Sequence, residues 1–240
     1  MSKLNLFCFP FAGGSSFSYR LFEPYVDPLY RMEAIEYPGR GIRSKEACIR
    51  DMSLLVDDLF TQYYPSFQAQ KYAFYGHSMG AIVAFVLIKK MAAEGCPLPM
   101  HLIVTGAAGP TGRSEVGRNR HLMNKQDFLE ELRILDGCPE QILENPELLD
   151  YFEPILRADF ELSETFDYRL DHVLNMPITV ITGILESIPE EDILLWQRET
   201  SRPVDFIKIP GKHFFIYDNP GQVIEVVNKK LLSHTKILHL

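Results

Sequence analysis

A serine hydroxyl attacks a carbonyl efficiently only when the chain also supplies a general base, a carboxylate to orient that base, and N–H donors for the oxyanion. The sequence offers a candidate for each role. Gly76-His77-Ser78-Met79-Gly80 fits the pattern G-x-S-x-G, which presents a serine on the sharp turn from a strand into a helix. Side chains two residues to either side of the serine would collide in such a turn, so both positions are glycine. Ser78 then stands at a helix N-terminus, where free N–H groups and the helix dipole favour a developing negative charge. The competing reading of the pentapeptide is a plain tight turn with an incidental serine.

The base should follow the serine in chain order, with the acid between them. His213 meets this requirement, because PGKHFF at 210–215 follows the strand-like run VDFIKIP. His77 shares the same edge but precedes Ser78 and is expected to point away. His101 opens a strand, His121 and His172 fall in or near a helical stretch, and His234 and His239 lie in the tail. The acid should follow the preceding strand, PITVITG, where the chain reads GILESIPEED. Glu186 is nearest the strand end and is assigned the role. Glu190, Glu191 and Asp192 fit the first turn of a helix, where acids offset the dipole, although Asp192 is retained as a second candidate. The oxyanion donors are assigned to the N–H groups of Ala12, in FPFAGG after the first strand, and of Met79.

These residues require a sheet whose strands end at one common edge. Strand-like runs at 3–9, 31–37, 71–75, 101–105, 177–183 and 204–209 alternate with helical periodicity at 18–25, 51–64, 78–94, 191–199 and 222–232. That alternation predicts a single α/β domain over 1–240, with a mostly parallel central sheet and helices on both faces. The rhythm breaks at about 110–170. A polar Gly/Arg/Ser-rich run leads there into a stretch that reads as helical throughout 124–170, in short pieces broken by Pro139, Pro146 and Pro154. Such an insertion should lie over the strands' C-terminal edge, where folds of this kind bind ligands.

Bulk properties exclude several functions. The net charge of −8 argues against attraction to nucleic acid or an anionic membrane. The longest apolar run, 79–88, is too short to span a bilayer. Cys8, Cys48, Cys96 and Cys138 show no paired spacing, which suits free thiols in a cytoplasmic protein. The histidines have no metal-ligand spacing, so a metal site is not expected.

Five motifs in this order, FPFAGG, EYPGRG at 36–41, GHSMG, PILRADF at 154–160 and PGKHFF, resemble the type II thioesterases over nearly the whole chain. These are the stand-alone editing enzymes of nonribosomal peptide and polyketide assembly. The resemblance implies an α/β-hydrolase core with a mobile lid. It also implies hydrolysis of acyl thioesters from the phosphopantetheine arm of carrier proteins, by a cofactor-free monomer. Carried over by position, it makes Ser78 the nucleophile, His213 the base, and Ala12 and Met79 the oxyanion hole. The family has aspartate where this chain has Glu186. That departure keeps in play a hydrolase-fold binding protein without catalysis, and the nearest alternative otherwise is an esterase or lipase for free small esters.

Three expectations concern the insertion. Leu129, Leu132, Leu135, Ile142, Leu148, Leu149, Phe152 and Ile155 should pack, or line an acyl channel. Arg113, Arg118 and Arg120 are read as a solvated group able to meet a phosphate or an acidic carrier. Arg157 and Asp159 should pair with each other and anchor the lid.

Overall fold

The computed structural model describes residues 4–69, 71–112, 117–135, 137 and 140–236. Among them six strands form one sheet: β1 (Leu4–Phe9), β2 (Tyr30–Ala34), β3 (Tyr72–His77), β4 (Leu102–Thr105), β5 (Ile178–Gly183) and β6 (Asp205–Ile209). Every pairing is parallel, in the order β2-β1-β3-β4-β5-β6, so all six strands end at the same edge. The helices are α1 (Met52–Ala69), α2 (Met79–Ala93), α3 (Lys125–Leu135), α4 (Glu140–Leu143), α5 (Pro146–Thr165), α6 (Glu190–Leu194), α7 (Phe215–Asp218) and α8 (Pro220–Lys236).

Residue alternation along the strands explains the layering. On β1, Phe7 and Phe9 face a core shared with Leu55 and Leu59 of α1, Val83 and Leu87 of α2, and Trp196. Leu6 and Cys8 face the opposite core, with Phe215 of α7 and Val223, Ile224 and Val227 of α8. The inner strands β1, β3, β4 and β5 are buried on both faces, which is why they read as near-continuous apolar runs, whereas the edge strands β2 and β6 are partly exposed. Burial pushes the Cys8 thiol far above its ordinary pKa. Among the described residues Cys8, Cys48 and Cys96 are free thiols, and Cys138 lies outside them.

Several elements differ from the sequence expectation. Residues 20–25 form a 3-10 helix rather than an α-helix. α1 continues through Pro65 to Ala69, and β3 extends to His77. The insertion is in pieces, α3, α4 and α5, but Pro154 does not break it as expected: α5 is one helix of 20 residues that runs through Pro154 and stops at Thr165. Pro146 opens it, where the Asn145 side chain accepts from the N–H groups of Glu147 and Leu148 at 3.0 and 3.2 Å. Pro154 removes one helical hydrogen bond, but buried Leu149, Ile155, Leu156 and Leu162 hold the helix through it. The insertion has a small core of its own, built from Phe128, Leu132, Leu143, Leu156 and Phe160.

Among the described residues no helix is long and apolar enough to cross a membrane. On the α2 side of the sheet, Phe85 packs edge-on against Tyr168 and Trp196, with ring centres 5.5 and 5.4 Å away. Phe85→Ala is expected to lower the unfolding free energy by about 3–5 kcal/mol. Urea denaturation should show this as a lower midpoint with an unchanged m value.

Candidate active site

β3 feeds into α2 through a turn that only glycine neighbours permit. Ser78 has φ 54° and ψ −123°, a strained conformation for a residue with a side chain. A Cβ on Gly76 would lie 2.5 Å from the Gly80 carbonyl and the Ala81 nitrogen. One on Gly80 would lie 2.1 Å from the Phe9 carbonyl oxygen. The first turn of α2 therefore packs directly on the backbone at the end of β1. The Ser78 N–H donates to the Thr105 carbonyl at 2.8 Å, which ties the turn to β4.

Glu186 and His213 come from the ends of β5 and β6. His213 Nδ1 lies 2.5 Å from Glu186 Oε1, and the Glu186 side chain is almost fully buried. The other carboxylate oxygen, Oε2, accepts the Gly183 N–H at 2.8 Å. The glutamate thus curls back over the end of its own strand, and this bend absorbs its extra methylene relative to aspartate. Glu190 and Glu191 are exposed on the first turn of α6, and Asp192 lies beside Gly112 rather than on His213.

Ser78, His213, Glu186, Ala12 and Met79 all line one cavity of about 510 Å³. Among the described residues, neither the Ala12 nor the Met79 N–H has a protein acceptor. Leu132, Leu135 and Leu156 of the insertion, with Met52, Ile82 and Phe166, supply apolar wall. The insertion's other apolar residues divide differently. Leu149 and Ile155 are buried, Leu129 and Phe152 pack at the margin of the insertion core, and Leu148 is exposed. The side chain of Ile142 lies outside the described residues. With these groups, the site has what acyl transfer requires: a strained serine at a helix start, a histidine on a carboxylate, and open amides beside an apolar chamber.

His77 is fully buried and does not line the cavity that Ser78 lines. Its ring lies 4.9 Å from that of His213 and packs edge-on against Phe11, Phe214 and Phe215. Its Nδ1 is 3.1 Å from Thr105 Oγ1. Burial first, and then the neighbouring His213, holds its pKa well below the ordinary imidazole value. His77 is therefore neutral beside His213 and adds no second positive charge there.

The arginine expectations need correction. Arg120 is buried rather than solvated, with its guanidinium on Glu131 at 2.9 Å and Glu164 at 3.2 Å. Arg118 is about half exposed and 3.8 Å from Glu131, and Arg113 lies outside the described residues. Arg157 and Asp159 do not pair with each other. Arg157 binds Glu153 at 2.8 Å, while Asp159 takes both guanidinium nitrogens of Arg40 at 2.5 and 2.7 Å. Residues three or four apart on a helix can meet, but a spacing of two points side chains apart. The Arg40–Asp159 pair was missed although both residues stand in quoted motifs. The available signal was an aspartate on the apolar face of α5, three residues from both Leu156 and Leu162.

A family model described as Thioesterase domain matches residues 4–231. The chain is 30% identical to the gramicidin S biosynthesis protein GrsT of Aneurinibacillus migulanus, covering 96% of this chain and 90% of GrsT. The crystal structure of ClbQ from the colibactin NRPS/PKS pathway superposes with a TM-score of 0.92 at 29% identity, covering 98% of this chain and all of that one. The type II thioesterase BorB from the borrelidin biosynthetic cluster does so with a TM-score of 0.86 at 29% identity, over 95% and 92% of the two chains. The fold is thus the α/β-hydrolase fold of these thioesterases.

The buried neutral His77 predicts a pH dependence. An unfolded chain protonates this imidazole below about pH 6.5, whereas the folded one resists it. Stability is therefore complete above that pH and declines as pH falls, by up to about 1.4 kcal/mol per pH unit. Denaturation across pH 4–7 should show a slope of which His77→Asn loses this share. NMR of the wild-type protein should show no His77 ring titration near the ordinary value.

Proposed function

The chain belongs to the thioesterase domain family, and on that premise we propose that Ser78 is the acylated nucleophile, His213 its base, and Glu186 the orienting carboxylate. The amides of Ala12 and Met79 form the oxyanion hole in this reading. The protein is a hydrolase of the thioester class. The observation that carries the residue assignment is the 2.5 Å contact between His213 Nδ1 and Glu186, in the wall of the cavity that Ser78 lines.

The chemistry follows from that arrangement. Nδ1–H of His213 donates to Glu186, which leaves Nε2 free to accept the Ser78 proton as the hydroxyl attacks the thioester carbonyl. The oxyanion receives N–H bonds from Ala12 and Met79. When the intermediate collapses, the C–S bond breaks and the imidazolium returns its proton to the leaving thiolate. A water molecule, deprotonated by His213, then attacks the acyl-serine. The balance is thioester plus water giving carboxylic acid plus thiol. The Glu186 carboxylate favours the imidazolium in both steps, and neutral His77 avoids opposing it.

The relatives' pathways support a substrate held as an acyl thioester on the phosphopantetheine arm of a carrier-protein domain. Removal of stalled or aberrant acyl groups is then the editing step of a nonribosomal peptide or polyketide assembly line. The three-arginine patch no longer serves carrier docking, because Arg120 is buried. Exposed Ile134 and Leu185 at the cavity rim offer apolar contact instead. A single domain over 1–240, with the insertion at about 110–170 acting as a lid, agrees with the continuous sheet. A cytoplasmic setting suits the free thiols among the described residues.

Ser78→Ala should leave an acyl-loaded carrier intact while the wild type clears it. Glu186→Gln should lower kcat by about 10³–10⁴-fold with little change in KM, because the histidine loses its orienting anion. Wild-type kcat/KM should favour the acyl-carrier over a short chromogenic ester; the reverse order would indicate a general esterase.

A further inference from the structure

The loop after β1 is held by a residue of the insertion. Asp159 of α5, 2% exposed, accepts the Gly13 N–H through Oδ2 at 2.7 Å. The same carboxylate takes the bidentate Arg40 guanidinium, and Arg40 also donates to the Gly14 carbonyl at 3.2 Å. Gly13 stands at φ +77°, where a Cβ would lie 2.5 Å from Leu156 Cδ2. Leu156 and Asp159 are three residues apart and share the face of α5 that presses on this loop. Gly13 is the residue after Ala12, so whatever orients its amide also orients the peptide that ends the Ala12 unit.

Other bonds brace the same segment from the sheet side. Tyr37 donates to the Pro10 carbonyl at 3.1 Å, and Tyr19 donates to that of Phe9 at 2.6 Å. The Ser16 N–H and O–H both donate to Glu36. None of these reaches Gly13. Burying a charge pair costs free energy that an apolar pair would not, and such a pair is weak evidence for stability alone. Here the carboxylate has a third bond, to a backbone N–H beside a candidate oxyanion donor.

We infer that Asp159 is a positioning residue for acyl transfer: through Gly13, and braced by Arg40, it makes seating of α5 a condition for an aligned Ala12 amide. The inference rests on the serine reading above. It assigns the insertion a part in the chemical step, in addition to its share of the cavity wall.

Two double variants separate this role from simple stabilisation. Arg40→Met with Asp159→Asn, and Arg40→Met with Asp159→Leu, both lack the buried ion pair. Only the asparagine pair keeps an acceptor for the Gly13 N–H. With an acyl-loaded carrier, kcat of the leucine pair should fall about 10- to 100-fold below that of the asparagine pair, with KM within about twofold, since a misplaced oxyanion donor costs at most what a lost one does. Equal kcat values would overturn the inference. Ser78→Ala runs alongside: if it retains turnover, the serine reading fails, whereas if it is inactive and the doubles are equal, only the role of Asp159 fails. Native-state hydrogen exchange on the wild type tests the coupling without any variant. The Gly13 amide should open together with the central amides of α5, at the same free energy across low urea concentrations, and independent opening would overturn it.

Discussion

Holding Ser78 at φ 54° and ψ −123° costs about 1–3 kcal/mol of backbone strain, and the surroundings of the turn must over-determine it. They do so by close approach. Gly76 packs on the start of α2, and Gly80 packs on the end of β1, with no room for a Cβ at either. The Ser78 N–H is bound to β4. The elbow is therefore rigid only because β1, β3 and β4 are adjacent strands of one sheet. The same adjacency brings Ala12, after β1, and Met79, at the start of α2, to the one cavity that Ser78 lines. Three features of the candidate site, the exposed hydroxyl and two amides, follow from one packing constraint.

The histidine and its carboxylate are placed by different means. Glu186 is anchored to its own strand end through Gly183, and its loop is tied to the end of β6 by the Ile184 N–H on the Ile209 carbonyl and the Leu185 N–H on the Gly211 carbonyl. His213 is held between that carboxylate and an aromatic cluster of His77, Phe11 and Phe214. His77 belongs to β3, and its low proton affinity arises from burial among these rings. The base thus meets apolar surfaces on one side and a single anion on the other. That arrangement favours one orientation of the ring, in a residue that lines the cavity.

The insertion is bound to the core by buried charge as well as by apolar packing. Asp159 reaches Arg40 and the β1 loop, while Glu164 holds Arg120 and His121 near the start of the insertion. Charges this deeply buried persist only when paired with opposite charge, so their partners define where α5 must sit. Leu132, Leu135 and Leu156 can then serve as cavity wall because the helices that carry them are registered by those pairs.

Much of this was legible in the chain. Strand and helix alternation predicted the sheet, because a residue's periodicity records which side of its element is buried. GHSMG, FPFAGG and PGKHFF were legible because a tight turn at a strand end leaves a local signature of glycine and proline. Glu186 could be chosen by its distance from the end of β5. The unbroken α5 was not legible, because proline propensity is local whereas the packing that overrides it is not. Nor were the packing of the His77 ring beside that of His213, the burial of Arg120, or the pairing of Asp159 with Arg40 in place of Arg157. Each depends on which residues from distant parts of the chain become neighbours, and the Asp159–Arg40 partners are 119 positions apart. Sequence by itself determined the elements and the chemistry their ends can carry. Tertiary structure alone decided the charge partners and the ring environments, because burial and electrostatic pairing depend on distance in space, not along the chain.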